Sequence, residues 1–211
     1  MNSQADKIRL DLKNKWPEAI SDSFGERSPV FETGVSELDK LFPQGGIPYG
    51  QLCEFSGEES SGKTSLMLKI LSKLSLSWRA AYIDFSGCFF PAAASASGVI
   101  LKNLLIVAPD TLLGGLRTAE KLFTSGVVRT IVLDLIDQVE SLPTTIIHRL
   151  RQHAARAKGN VFFLTRINST IIPASMVSLR LVTSRTKHDT IMAEVVRSRI
   201  CREGAKVEFI I

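Results

Sequence analysis

The chain has 211 residues, 45% of them apolar, and a formal net charge of +5; that is enough sequence for one good core and is most simply read as a single domain with a short leader. Cys53, Cys88 and Cys201 lie far apart in apolar or strand-like surroundings, so neither a zinc spacing nor a disulfide framework is indicated, and a reducing cytoplasm fits. The longest apolar candidate, Phe89 to Ala108, is broken by Pro91, Gly98, Lys102 and Asn103, and Met1–Asp6 lacks the basic and apolar regions of a secretion signal; the expectation is a soluble cytoplasmic protein with no membrane partner.

In chain order, Ala5, Ile8, Leu12 and Trp16 fall at helical spacing until Pro17 stops the pattern, which predicts a small amphipathic helix that docks on its own core or on a neighbouring subunit. Ser21–Pro29 reads as a polar linker, so residues 1–30 form a helix and linker and residues 31–211 the core. Thr33–Leu41 looks like a capped helix and Gln44–Gly50 like a turn-rich segment. Gln51–Ser56 reads as a short strand, and Ser65–Leu74 as a helix with apolar residues at 66, 67, 70, 71 and 74.

Further apolar runs of buried-strand length follow at Ala80–Phe85, Leu104–Ala108, Thr130–Leu135 and Val161–Thr165, with helical patterns over Leu112–Thr124 and Pro143–Ala157 between them. Strands alternating with helices predict an α/β fold with a mainly parallel central sheet. Met176–Val182, Thr190–Arg197 and Ala205–Ile211 alternate polar with apolar residues and have no helices between them, which predicts an antiparallel C-terminal meander on one edge.

Between the first strand and its helix stand Gly57, Glu59, Ser60, Ser61, Gly62, Lys63, Thr64 and Ser65, completing the pattern G-x-x-x-x-G-K-[ST]. The glycines let the loop curl so that successive backbone N–H groups point inward at phosphates. The helix starting near Gly62 adds the positive end of its dipole, Lys63 can reach the β- and γ-phosphates, and the Thr64 hydroxyl can ligate Mg²⁺. Asp134 ends a buried strand, where a carboxylate can hold Mg²⁺ or its water across from the loop. ATP and Mg²⁺ are the expected ligands, bound by Gly57, residues 59 to 65 and Asp134, with Thr64 and Asp134 on the metal.

Taken together, Phe31–Asp39, the Gly45–Gly50 turn, Gly57–Thr64 and Ala81–Asp84 resemble the ATPase core of the RecA recombinase family over residues 31–211. In that family a glutamate two residues after the Tyr-Ile-Asp strand activates water, and here that place holds Ser86, with Asp84 about 6–7 Å back along the strand. The family also carries a polar switch residue, usually glutamine, and then a long glycine-rich DNA-gripping loop after the next core strand; this chain has Thr165–Arg166 and a short stretch, Ile167–Ser175, without glycine. The loop between Asp134 and Pro143 is brief as well. The layout, including Arg149 and Arg151 on the helix before the Phe-Phe-Leu strand, is similar to the ImuA family of RecA-like accessory proteins encoded with mutagenic polymerases. That resemblance implies an ATP-binding accessory role in DNA-damage tolerance and error-prone translesion synthesis. Hydrolysis would be weak or absent, and the partners would be a RecA-type recombinase or a mutagenic polymerase accessory. The alternative is a DNA-dependent ATPase or recombination mediator that binds single-stranded DNA directly.

Charge bears on both readings. From His148 to Lys206 there are twelve Lys/Arg against three acids, Asp189, Glu194 and Glu203, so that stretch is +9 and the remainder −4. Such a half is either a phosphate footprint that allows weak, nonspecific DNA contact or a set of solvated outer faces. His148 and His153, five apart and without acid or Cys companions, read as surface residues. Phe89–Phe90 would either stack on adenine or plug the strand exit, and Phe31 would either anchor a self-association interface or pack internally.

Overall fold

The computed structural model describes residues 29–210. The expected helix at residues 5–16 and most of the linker lie outside them. Two short strands, β1 (Val30–Phe31) and β2 (Ile47–Pro48), pair antiparallel around a one-turn helix, α1 (Ser36–Asp39). The capped helix expected over Thr33–Leu41 is therefore much shorter. The Asp39 carboxylate accepts from the Thr33 backbone N–H and the Thr33 hydroxyl accepts from the Val35 N–H, which holds residues 33–35 in a turn. At the other end Pro43 disfavours helical geometry for its predecessor.

The core alternates as anticipated: β3 (Leu52–Gly57), α2 (Lys63–Leu74), β4 (Ala80–Asp84), α3 (Pro91–Ala96), β5 (Leu104–Val107), α4 (Leu112–Thr124), β6 (Thr130–Asp134), α5 (Thr144–Ala157) and β7 (Asn160–Arg166). Helix α3 was hidden in an interrupted apolar run; Pro91 at its first position supplies a preset φ, and small alanines follow. Then come β8 (Leu179–Lys187), β9 (Thr190–Ser198) and β10 (Lys206–Ile210). The eight-stranded sheet runs β10-β9-β8-β3-β7-β6-β4-β5. All pairs from β8 to β5 are parallel; β9 and β10 complete an antiparallel edge, with β8 joined to β3 in parallel register.

Successive strand residues feed opposite layers. Tyr82, Val132 and Phe162 point into one cluster with Phe31, Phe55 and α2, whereas Ile83, Leu133 and Phe163 point into the other with α4 and α5. This is why the parallel strands read as unbroken apolar runs. Fully burying one such side chain contributes about 1.5–3 kcal/mol. Phe31 packs edge-on against Phe162, with ring centroids 6.0 Å apart, so its interior use is realised. His148 is exposed and His153 half-buried on α5.

Candidate nucleotide site

The site sits at the carboxyl ends of the parallel strands, where β3 and β7 end level at Gly57 and Arg166 and β6 and β4 end two residues short of them at Asp134 and Asp84. Gly57 closes β3 in register with Arg166 on one side and Thr183 on the other. A side chain could not be accommodated there, since a Cβ would lie 2.4 Å from Ser61 Oγ and 2.6 Å from Thr183 O. Ser60 and Gly62 both have positive φ, +57° and +89°, and this pair of left-handed residues curls the loop. Gly62 then caps α2, whose first N–H groups have no intrahelical partners and face the loop's concavity.

Lys63 donates to the carbonyls of Gly57 and Glu58 at 3.2 and 2.9 Å, spanning the loop it would otherwise reach out of. Burial lowers its pKa, and the nearby Asp134 charge opposes that shift. Thr64 and Asp134 line one cleft of about 180 Å³ together with Tyr82 and Ser86. The Tyr82 hydroxyl donates to Asp134 Oδ2 at 2.6 Å, and Asp134 Oδ1 accepts weakly from the Ile136 N–H at 3.3 Å. Burial raises the Asp134 pKa, with the Tyr82 bond pulling the other way. Among the described residues no cluster of three His, Cys, Asp or Glu forms a metal cage. One hydroxyl and one carboxylate facing a phosphate cradle is the donor set Mg²⁺ takes when substrate phosphates complete its shell.

Asp84 stands beside Asp134 in the β4–β6 register, and its carboxylate is held by four donors, three on Oδ1 and one on Oδ2. It accepts from the Ser86 hydroxyl at 2.9 Å and from the N–H groups of Gly87, Cys88 and Phe89 at 2.9, 3.3 and 2.8 Å. Those bonds fold residues 86–89 into a turn and lay Phe89 on Tyr82, with centroids 4.5 Å apart, while Phe90 is exposed. Asp84 is thus a structural anchor.

Four contributors were not legible as site residues. Tyr82 orients Asp134. Arg166 donates to Asp137 at 2.9 Å and to the Ile136 carbonyl at 3.0 Å, and pairs with Glu59 of the phosphate loop at 3.4 Å, so it bridges the two loops flanking the site. Thr183 and Arg185 of β8 brace the loop from outside: Ser61 Oγ and Thr183 Oγ1 are 3.0 Å apart, and Arg185 donates to the Ser60 carbonyl at 3.1 Å. Only strand order reveals them, because β7 and β8 are distant in sequence and adjacent to β3 in space, as β4 is to β6.

The short loops after β6 and β7 are fastened to each other and to the core. Leu142 N–H donates to Ile171 O at 2.9 Å, and Ile171 and Ile172 are buried. Arg180 donates to Ile172 O at 3.0 Å while pairing with the buried Glu54 at 2.6 Å, and Thr165 bonds the other Glu54 oxygen at 2.8 Å.

Sequence comparison places this geometry among known proteins. Protein RecA from Caldanaerobacter subterraneus subsp. tengcongensis is 39% identical over 108 residues, covering 51% of this chain and 32% of the relative. Protein RecA from Desulfotalea psychrophila is 33% identical over 167 residues, covering 74% and 46%. Protein RecA from Levilactobacillus brevis is 38% identical over 131 residues, covering 62% and 35%. The chain thus spans less than half the length of these curated relatives. With the RecA N-terminal domain matched over residues 20–149 and a phosphate loop, Asp134 and parallel sheet disposed as described, the chain belongs to the RecA family.

Proposed function

We propose that this protein is a RecA-like accessory factor in DNA-damage tolerance that binds Mg·ATP as a conformational ligand and hydrolyses it slowly or not at all. The observation that carries this reading is the state of residues 84–89: Ser86 stands where the family's water-activating glutamate is expected, and Asp84 is spent on four hydrogen bonds. A hydroxyl is no general base at neutral pH, and positioned bases contribute about 10²–10⁴-fold. On this reading the loop N–H groups and Lys63 hold the phosphates, and Thr64 and Asp134 hold Mg²⁺, whose bound charge would offset that of the phosphates. The residues of the cradle and its cleft bind and orient, and Ser86 leaves the place of the family's water-activating glutamate without a carboxylate.

Support for an accessory role comes from the tethered loops, which have neither glycine nor slack for gripping stretched single-stranded DNA. The affinity to the ImuA branch, a RecA-type recombinase or a mutagenic polymerase accessory as partner, self-association and a cytoplasmic setting belong to the same proposal. Two measurements test it. Calorimetry should give ATP binding in the wild type and none in Lys63→Ala, with the fold retained. Phosphate release should stay slow with and without single-stranded DNA; turnover at the rate of an active recombinase, or strong stimulation by DNA, would instead establish the DNA-dependent ATPase.

A further inference from the structure

Strand β8 does not stop where its neighbour does. Thr183 is the residue in register with Gly57, and β8 continues to Lys187, so Arg185 stands two residues, or about 6–7 Å, beyond the end of β3. The overrun carries the β8–β9 hairpin alongside the phosphate loop. Ile191 of β9 presses on the Gly62 turn so closely that a Cβ at Gly62 would lie 1.8 Å from its Cδ1. Between loop and hairpin lies a second cleft, about 460 Å³, lined by residues 60–65 together with Arg185 and His188.

The two clefts share Thr64, the first taking only that residue of the loop and the second residues 60–65. Asp134 belongs to the first, so the metal-bound end of a triphosphate would lie toward it, and the remaining phosphates would lead toward Ser65 and Arg185 in the second. Besides Lys63, Arg185 is the cation that the hairpin brings to that side. It donates through Nε to Ser60 O and through Nη1 to His188 O, and among the described residues no carboxylate lies within ion-pair distance of it. Two carbonyls fix the direction of the guanidinium and leave its charge unneutralised. A planar cation held in this way suits phosphate oxygens.

We infer that the β8–β9 hairpin is the second wall of the nucleotide site, and that the Arg185 guanidinium binds the α- and β-phosphates in cis. This rests on the reading of the loop as an ATP site, and the two are separable by experiment. Calorimetric Kd values for ATP and for ADP are to be measured on full-length wild type, Arg185→Gln, Arg185→Lys and Lys63→Ala. Arg185→Gln keeps an amide donor for the Ser60 carbonyl and removes the charge. It should weaken ATP and ADP alike by about tenfold or more, the weight of one hydrogen bond between charged partners. Arg185→Lys should recover part of the loss, and the apo melting temperature of both variants should match the wild type. Affinities for Arg185→Gln within about twofold of wild type would mean that Arg185 only braces the loop, and the inference falls while the ATP site stands. A loss confined to ATP would place the cation at the γ-phosphate and also overturn it. A wild type that binds neither nucleotide sinks both readings.

Discussion

Asp84 shows how the meaning of a residue depends on what its lone pairs already hold. On a strand end beside Asp134 it has the position of a reacting group, but four donors, three of them on Oδ1, fix it as the anchor of the turn at residues 86–89. Ser86→Glu supplies the missing carboxylate at the rim of the Thr64–Asp134 cleft. Turnover should rise by about 10²-fold, the low end for a general base, because the new charge also faces Asp84 across a 2.9 Å contact. Unchanged phosphate release in that variant would show that more than the base is missing. Residues 57–65 were legible because a phosphate cradle is local: its glycines, lysine and threonine act within one turn of chain. Asp134 was legible from strand position alone. Tyr82, Arg166 and Arg185 were not, since each matters through a neighbour more than 20 residues away.

Among the elements, β3 is the strand on which the rest depends, and Glu54 at its centre is stapled to β7 by Thr165 and to β8 by Arg180. Arg180→Ala would strand a buried carboxylate and should cost about 3–5 kcal/mol in urea unfolding. It should also speed amide exchange around Ile172, whose carbonyl Arg180 holds. Burial raises the Glu54 carboxyl above the ordinary glutamate range, against the pull of Arg180 and Thr165. A folded pKa above the unfolded one gives a stabilising contribution that is complete below the ordinary value and is lost as pH rises through the folded value. Stability of the wild type relative to Glu54→Gln should therefore fall as pH climbs out of the ordinary glutamate range; a relative rise would mean that the ion pair outweighs burial. The parallel strands were legible because both faces are apolar, and α4 matched its pattern from Leu112 to Thr124. The region 33–41 misled because a helical pattern there is overruled by side-chain bonds into a turn.

At the scale of the whole molecule, the proposed reading has the basic second half allow a loose phosphate contact while the fastened loops deny DNA a grip. Binding to single-stranded DNA should be weak, indifferent to sequence and lost steeply with salt, which fluorescence anisotropy across a salt series would measure. Nanomolar binding at physiological salt would overturn the accessory reading. Removing residues 1–28 should leave ATP affinity unchanged, since every side chain described around the phosphate cradle lies between Glu54 and Ile191. The same truncation should reduce self-association or partner binding. The charge division was legible from composition, but the anchoring of the loops was not, because it runs through Leu142–Ile171 and Arg180–Ile172 contacts that only the assembled sheet creates.

The knot of hydrogen bonds at Asp84 bears on how long a bound state lasts. In an enzyme with a free base, the triphosphate runs down at a rate set by chemistry, and occupancy works as a timer. On the proposed reading, bound ATP would depart by dissociation sooner than by cleavage, so the lifetime of the loaded protein would equal the reciprocal of koff. Occupancy would then follow the ratio of free ATP to free ADP, and the protein would behave as a gauge that resets by exchange. A chase with excess ADP should return intact ATP to solution at the same rate at which the loaded conformation decays.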